Sequence, residues 1–393
     1  GFLDIKKVTI FIGNQGSGKS TVAKLISTMI WIEKALNRGD IEGFSYQNFW
    51  NIFKYQGVYE YFYNSYLKSR DNNPCQTKLE YTGDEFSIIY PDKTFPRIES
   101  VNDGQYITPK IMYVPAERNT LSSITNIKGL PEHLLSFYEE LRRANKDLKG
   151  ERLKLPINDY EYEYDEQSDS SFIVGPDYKI NLLNASSGVQ SLAPLYVVTR
   201  NLAELVTHSD DVLRKSMNSN SILKMNEEMV ALEVNDAIPE KEKIIKRKDI
   251  RAKFLPKCFI NIVEEPEQNL YPTSQRQILN SLLEFNNLSE GNKLIMTTHS
   301  PYIINYLSLA IQADYLKGKI HSDELLEKLN AIVPLKSTIS ASDVAIYQMD
   351  ERDGTIRRLS TFEGIPSDKN LLNQSLADGN DLFDQLLEIE QEL

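Results

Sequence analysis

The order of hydrophobic and polar residues predicts strands that alternate with helices along most of the chain. Short apolar runs rich in β-branched residues predict buried strands at residues 8–12, 111–114, 259–263 and 293–297. Helical apolar spacing predicts helices at residues 21–31, 130–148, 192–205, 274–283 and after Pro301. This alternation indicates an α/β fold with a mostly parallel sheet flanked by helices.

The remaining segments are interpreted as insertions into a single head spanning residues 1–393. Residues 37–110 are rich in Tyr, Phe and Asn and contain short alternating runs, which predicts a mixed β/α insertion with antiparallel strands. Residues 128–150 are predicted as a helical insertion and residues 206–257 as a basic helical linker or insertion. The acidic, Tyr-rich stretch 159–169 is predicted to be a surface loop or edge.

The composition of the 393 residues, 41% hydrophobic and 25% charged, is that of a globular protein. Its apolar runs fall short of the roughly 20 residues of a membrane span, and no basic segment with a cleavable apolar stretch opens the sequence. We therefore expect a cytoplasmic protein without membrane contact. Cys75 and Cys258 form no CxxC pair, so we expect neither a disulfide framework nor a zinc site.

The formal net charge of −12 argues against a surface devoted mainly to nucleic acid. Eight basic residues nevertheless fall between Pro239 and Phe259: Lys241, Lys243, Lys246, Arg247, Lys248, Arg251, Lys253 and Lys257. A solvated helix face is the simpler interpretation of this basic cluster, and a local DNA-binding patch stays open as the alternative.

The clearest chemical motif is the sequence GNQGSGKS at residues 13–20, a complete GxxxxGK[ST] between a predicted strand and a predicted helix. Its glycines let backbone N–H groups turn toward phosphates, and the helix adds its positive N-terminal end. We expect Lys19 to reach the β- and γ-phosphates and the Ser20 hydroxyl to bind Mg²⁺. The predicted nucleotide-binding residues here are Gly13, Asn14, Gln15, Gly16, Ser17, Gly18, Lys19, Ser20 and Thr21.

Acidic and polar residues follow the last two predicted strands, at 259–263 and 293–297. Glu264 and Glu265 end the run 259–263, and at that place one carboxylate can hold magnesium while its neighbour orients and deprotonates the attacking water. His299 follows two threonines at the end of the run 293–297, where it can contact the γ-phosphate. The alternatives are an acidic turn exposed to solvent and a structural histidine.

A turn of small residues, Ser186, Ser187 and Gly188, leads into the predicted helix 192–205. Such a turn presents hydroxyl groups, backbone N–H groups and a helix dipole to an anion. Ser-Ser-Gly also caps ordinary helices, so the turn alone supports either reading.

In this order, the four motifs resemble the ABC-type ATPase heads of the SMC, RecF and OLD-like families. The resemblance implies that residues 13–20 are the Walker A loop, that Glu264 binds the metal in place of the usual aspartate and that Glu265 is the catalytic glutamate. It also implies a D-loop at 267–272 and an H-loop at His299, and the segment 113–118 is similar to one near the Q-loop. Ser186 to Gly188 are similar to the LSGGQ signature, which in that family contacts ATP bound by the opposite subunit.

The resemblance further implies the cofactors ATP and Mg²⁺, ATP hydrolysis and a homodimer formed through ATP. The chain closes with an acidic, Leu-rich segment where OLD nucleases continue into a Toprim domain, so we expect an ATPase without its own nuclease. The favoured hypothesis is a switch that controls a separate effector, similar to ATPases of bacterial anti-phage defence such as Septu or retron-associated ATPases. The main alternative is a DNA clamp like RecF or SMC, and a transporter subunit ranks below both.

Overall fold

The computed structural model describes residues 2–41, 46–55, 57–59, 78–90, 96–101, 106–123 and 130–391. Parts of the predicted insertion 37–110, the first two residues of the insertion 128–150, Cys75 and the last two residues of the chain lie outside these ranges. Cys258 is a buried free thiol.

The described part of the chain contains helices and strands that alternate as expected. The α-helices are α1 (Lys19–Asn37), α2 (Tyr46–Tyr55), α3 (Glu132–Asp147), α4 (Ser187–Leu205), α5 (Asp210–Ser216), α6 (Ser219–Val234), α7 (Glu240–Phe254), α8 (Pro272–Asn286), α9 (Pro301–Lys317), α10 (Asp323–Ile332) and α11 (Leu371–Gln391). The strands are β1 (Val8–Gly13), β2 (Leu79–Thr82), β3 (Phe86–Tyr90), β4 (Arg97–Ser100), β5 (Pro109–Val114), β6 (Leu153–Lys154), β7 (Glu161–Asp165), β8 (Ser170–Val174), β9 (Lys179–Asn181), β10 (Cys258–Glu264), β11 (Lys293–Thr298), β12 (Val344–Met349), β13 (Ile356–Arg358), β14 (Thr361–Phe362) and β15 (Ile365–Pro366). Short 3₁₀ helices cover Ala116–Ser123, Leu182–Asn184, Leu335–Ser337 and Ala341–Asp343.

A six-stranded sheet in the order β13-β12-β1-β11-β10-β5 forms the centre of the fold. Every neighbouring pair is parallel except β12 and β13. Ile12 pairs with Thr298 and Glu264 with Thr297, so β1, β11 and β10 end at the same edge. The predicted parallel α/β architecture is confirmed, and polar residues that follow these three strands are brought together.

Alternate residues of the central strands face two different helical layers because successive side chains of a strand point to opposite faces. Phe11, Ile262 and Ile295 pack with Ala23 and Ile30 of α1 on one face. On the other face, residues such as Ile10, Val263 and Met296 join the core formed with α4, α8 and α9. The helix that follows the GxxxxGK[ST] loop and the helix that follows the Ser-Ser-Gly turn therefore lie on opposite faces of the sheet.

Three antiparallel sheets accompany the central one in the described part of the chain, the smallest being the pair β14-β15. Strands β2-β3-β4 form the first, as the alternating runs of the sequence predicted. Strands β6-β7-β8-β9 form the second, and here the prediction of a surface loop or edge at 159–169 was wrong. Strand β7 is an inner strand of that sheet, and Tyr162 is fully buried and hydrogen bonded to Asn145 and Ser171. The acidic residues of β7 alternate with its tyrosines and face outward. The polar composition of this segment therefore hid the alternating pattern of a strand.

The basic segment 206–257 forms helices α5, α6 and α7, and α6 packs against α7. Four of the eight basic residues of the cluster form ion pairs within the chain: Lys246 with Glu242, Arg247 with Glu233 and Glu240, Lys253 with Glu228, and Lys257 with Asp210. Much of the positive charge of the cluster is thus neutralised locally. Within the ranges that the structure describes, no helix combines the length and apolar character needed to cross a bilayer.

Candidate functional site

The loop between β1 and α1 has the backbone conformation that its glycines allow. Gly16 and Gly18 have φ angles of 79° and 90°, in the left-handed region that other residues rarely adopt. A Cβ atom on Gly13 would lie 2.6 Å from the carbonyl oxygen of Met349, so only glycine fits beside β12. The loop is therefore fixed both by its own glycines and by the neighbouring strand.

Lys19 lies inside this loop rather than in solvent. Its ammonium group donates to the carbonyl oxygens of Gly13 and Asn14, each at 2.8 Å, and to the Ser17 hydroxyl at 3.3 Å. Burial lowers the pKa of Lys19, and the nearby Glu265 carboxylate opposes that shift. Gly18 precedes α1 with no side-chain cap, so the amide groups of the first helical turn are available to an anion.

The two carboxylates at the end of β10 have different environments. Glu264 is 4% exposed, and its Oε2 accepts a hydrogen bond from the backbone N–H of Ala116 at 3.2 Å. The Glu265 side chain is 35% exposed and lies 3.6 Å from the His299 Nε2. Its backbone has a left-handed φ of 44°, and its N–H donates to the carbonyl oxygen of Thr297 on β11. This sharp turn at the strand end directs the two neighbouring carboxylates into different surroundings.

His299 lies between the glycine loop and the acidic residues because β11 lies between β1 and β10. Its backbone N–H donates to Glu267 Oε1 at 2.8 Å. Burial and the charge of Lys19 lower the pKa of His299, with Glu265 acting in the opposite direction. The imidazole is therefore neutral at neutral pH and able to accept or donate one hydrogen bond.

Arg118, which the sequence reasoning did not assign, is the largest side chain that is fully buried. Its guanidinium donates to four carbonyl oxygens, those of Pro115, Ser191, Glu264 and Glu265, at 2.6 to 3.1 Å. Burial lowers its pKa to about 10, which leaves it charged at neutral pH. Arg118 therefore ties the 3₁₀ segment after β5, helix α4 and the turn after β10 into one unit.

The turn before α4 is exposed at Ser186 and Ser187, whereas Gly188 is buried. Ser186 occupies the N-cap position, yet its side chain makes no capping hydrogen bond. A Cβ atom on Gly188 would lie 2.5 Å from the carbonyl oxygen of Asn269, and Ser191 donates to Gln268 at 2.7 Å. These contacts hold the turn against residues 267–272, which the resemblance assigned to the D-loop.

The environment of Glu264 fits a magnesium ion bound together with a nucleotide. Its Oε1 is buried without a hydrogen-bond partner in the described part of the chain, as a carboxylate oxygen reserved for a ligand would be. No three His, Cys, Asp or Glu side chains in that part form a metal-binding group on their own. Glu264 and the exposed Ser20 would therefore share the ion with phosphate oxygens and water, the usual environment of Mg²⁺ beside a nucleotide.

The structure thus brings Lys19, Glu265 and His299 to one sheet edge and places the Ser186 turn at the start of a helix on the other face. Glu267 joins the first group through His299, and Asn14 donates to Glu351 after β12 at 2.9 Å. The position of Glu267 in the acidic turn was the one sequence feature that could have pointed to it. The sequence shows that a carboxylate is present there but does not show that it is buried. Glu351 follows β12, and no pattern in the sequence indicated that β12 would pair with β1.

Comparison with known proteins agrees with these motif positions over part of the chain. Residues 240–304 match the family model described as AAA ATPase domain, a stretch that contains Glu264, Glu265 and His299. Among curated proteins, none matches the sequence significantly. The fold, its glycine loop and its acidic strand end define a P-loop ATPase architecture with a mainly parallel sheet.

Three solved structures of SMC heads are similar to the chain at low levels. The SMC head domain from Thermotoga maritima is 11% identical with a TM-score of 0.36, covering 92% of both chains. An SMC head bound to the C-terminal winged-helix domain of ScpA is 10% identical with a TM-score of 0.36, covering 90% of this chain and 89% of that one. An SMC head with an extended coiled coil, bound to ScpA derived from Pyrococcus furiosus, is 10% identical with a TM-score of 0.34, covering 96% and 92%.

Proposed function

We propose that the protein binds and hydrolyses ATP at the edge formed by β1, β11 and β10, and that ATP joins two copies head to head. The residues of the loop 13–21 bind the phosphates, with Lys19 at the β- and γ-phosphates. Ser20 and Glu264 hold Mg²⁺, which neutralises phosphate charge when it is bound. Glu265 orients and deprotonates water, and His299 contacts the γ-phosphate.

The observation that carries this proposal is the pairing of an accessible Glu265 with a buried Glu264. A general base needs access to water, whereas a metal ligand needs a free oxygen held in place. Glu265 is the more exposed of the two and lies 3.6 Å from His299, while Glu264 keeps one unpartnered oxygen. Environment therefore assigns different roles to two adjacent residues of the same type.

Dimerisation is supported by the placement of the Ser186 turn. A P-loop contacts one side of the nucleotide, so further donors must approach the γ-phosphate from elsewhere. Ser186 and Ser187 are exposed at the start of α4, which lies on the opposite face of the sheet from α1. A two-fold dimer would pair each turn with the loop of the partner, as the resemblance to ABC-type heads implies.

We further propose that the ATPase cycle controls a separate effector protein, as in bacterial anti-phage defence, in the cytoplasm. Helix α11 offers a surface for such a protein. It is anchored at its start, where Leu372 is buried and the Leu371 N–H donates to Gln348. Beyond that anchor, large apolar side chains are 58 to 62% exposed: Leu376, Leu382, Phe383, Leu386 and Ile389. Exposed apolar patches of this kind typically mark protein contacts.

The first test replaces Glu265 with glutamine, which keeps the shape of the side chain but removes the base. We expect Glu265→Gln to bind ATP normally and to lower single-turnover hydrolysis by roughly 10² to 10⁴-fold. It should also accumulate an ATP-bound dimer, measured by light scattering after size-exclusion chromatography. The matched control is Glu290→Gln, an exposed glutamate away from the site. Hydrolysis by Glu265→Gln at a rate near that of the unaltered protein would remove Glu265 from this role.

A further inference from the structure

A cavity lies along β5, the strand at one edge of the central sheet, and is separate from the proposed ATPase site. Its volume is about 370 Å³, within the range of small-molecule pockets. The walls come from α1, α3, β5 and the segment from α5 to α6. None of the described residues lining it belongs to the loop 13–21 or is Glu264, Glu265 or His299.

One face of α1 supplies a wall of this cavity. Ser27, Trp31, Lys34 and Arg38 follow each other at intervals of four, three and four residues, so they align on one side of the helix. Trp31 is 43% exposed, whereas the other tryptophan, Trp50, is 5% exposed in an aromatic core. An exposed indole beside two cations is a surface on which a planar ring can stack.

The cavity contains more positive than negative groups. The cationic lining residues are Lys34, Arg38, Lys110 and Arg143, and the carboxylates are Glu139 and Glu140. One carboxylate, Glu140, accepts from both Lys110 at 2.8 Å and Arg143 at 2.9 Å. Two cations therefore share one anion, which leaves positive charge to be balanced by a ligand.

In the described part of the chain Lys34 forms no ion pair, and Arg38 pairs with Asp40 but keeps one donor unused. The Lys34 ammonium donates to the carbonyl oxygen of Pro109 at 2.6 Å, and burial with the charges of Arg38 and Lys110 lowers its pKa to about 7. Arg38 contacts Asp40 and Ser221, but its Nε is buried without a partner in the described part of the chain. Buried donors without acceptors are costly unless a ligand satisfies them.

We propose that this cavity binds a mononucleotide, with the phosphate among Lys34, Arg38 and Lys110 and the base against Trp31. A phosphate supplies the acceptors and negative charge that these cations lack, and a base fills the aromatic side. The site is separate from the P-loop and independent of the proposed hydrolysis. Its ligand would act on the ATPase through α1, whose N-terminus follows the P-loop, and through Tyr113, which lines the cavity and lies near Glu264.

The test uses the full-length chain with Lys19→Ala, so that binding at the P-loop does not obscure a second site. Calorimetric titration with AMP, GMP and UMP measures affinity, and pyrophosphate tests whether the base contributes. Variants Lys34→Met and Trp31→Leu are added to this background. Arg143→Ala is a third variant that spares the fold, because its side chain is 52% exposed and pairs with Glu140. Lys328→Met, on exposed α10, is the matched control.

We expect saturable binding of at least one mononucleotide to the Lys19→Ala protein. Lys34→Met should weaken it at least about tenfold, since it removes a charged contact to phosphate. Arg143→Ala should weaken it as well, because Glu140 then pairs with Lys110 alone and leaves less positive charge for the phosphate. Trp31→Leu should weaken nucleotide but not pyrophosphate binding, and Lys328→Met should change nothing. Absence of saturable nucleotide binding at millimolar concentration would overturn the proposal. So would binding that the three cavity variants leave unchanged, or pyrophosphate binding as tight as that of the nucleotides.

Discussion

Arg118 shows how a single buried residue can hold the parts of the proposed ATPase site together. The carbonyl groups of Glu264 and Glu265 turn inward at the end of β10, and the guanidinium donates to both, adding to the Gln268 N–H that the Glu265 oxygen already accepts. It also binds the carbonyl oxygen of Ser191 in α4. The position of the catalytic turn relative to the Ser186 turn thus depends on one buried cation, which makes Arg118 a positioning residue.

We predict that Arg118→Met lowers both stability and activity. Methionine fills part of the space but removes the guanidinium donor from four carbonyl groups, of which that of Glu265 keeps the Gln268 N–H, and each buried polar group left unpaired costs about 1 to 3 kcal/mol. We expect a loss of at least about 3 kcal/mol in the free energy of unfolding by urea titration.

The control for Arg118→Met is Arg97→Met, at an exposed position in β4 outside both proposed sites. Partial rescue by Arg118→Lys of hydrolysis, with little change in ATP affinity, would distinguish positioning from bulk stability. An Arg118→Met protein as stable and active as the unaltered one would contradict the account.

At the level of single residues, the sequence predicts which side chains can take part in chemistry better than it predicts which side chains are buried. Lys19 and Glu265 follow from spacing and strand context, and the structure places them near each other. Arg118 and Glu267 were visible only as an arginine and a glutamate within larger motifs. Their importance comes from burial and from backbone carbonyl or N–H groups distant in sequence, which a one-dimensional pattern does not contain.

At the level of elements, the basic helix α7 tests the DNA-clamp alternative. Three of its seven cations, Lys246, Arg247 and Lys253, pair with carboxylates of α6 and α7, so the helix presents less free charge than its composition indicates. Lys241, Lys248 and Arg251 are the exposed members of the cluster outside those pairs. Only these three residues are suitable for reversing charge without breaking the contact between α6 and α7.

We predict that the triple variant Lys241→Glu, Lys248→Glu, Arg251→Glu leaves duplex DNA binding unchanged, because half of the cluster is neutralised within the chain. Fluorescence anisotropy across a salt series would measure both affinity and its salt dependence. Reversal of Lys319, Lys328 and Lys336, which are also exposed, provides the control. Salt-sensitive DNA binding that the α7 variant alone abolishes would instead support the clamp.

Element prediction succeeded where burial and periodicity agree and failed where they do not. The strands of the central sheet are buried along their length, so continuous apolar runs revealed them. Strand β7 alternates glutamate with tyrosine. A tyrosine can lie at the surface or in the core, depending on whether its hydroxyl group finds a hydrogen-bond partner there. Only the hydrogen bonds of Tyr162 to Asn145 and Ser171 show that it belongs to the core.

The whole molecule has its two ligand-directed turns on opposite faces of one sheet. This arrangement follows from strand order, because α1 and α4 cover alternate residues of the same strands. The sequence could predict a parallel sheet but not which face each helix would cover. In the proposed dimer, the Ser186 turn would act on the nucleotide of another copy, and the dimer would then be the catalytic unit.

Mixing two inactive variants tests this claim most directly. Chains with Lys19→Ala lack phosphate binding, and chains with Ser186→Arg and Ser187→Arg lack an accessible turn, so each should be inactive alone. Their heterodimer contains one composite site with both parts intact, and steady-state phosphate release from the mixture should recover part of the original activity, provided one site can act alone. If the Ser186 and Ser187 double variant alone hydrolyses ATP normally at every protein concentration, the turn has no role across the dimer and the central claim is contradicted.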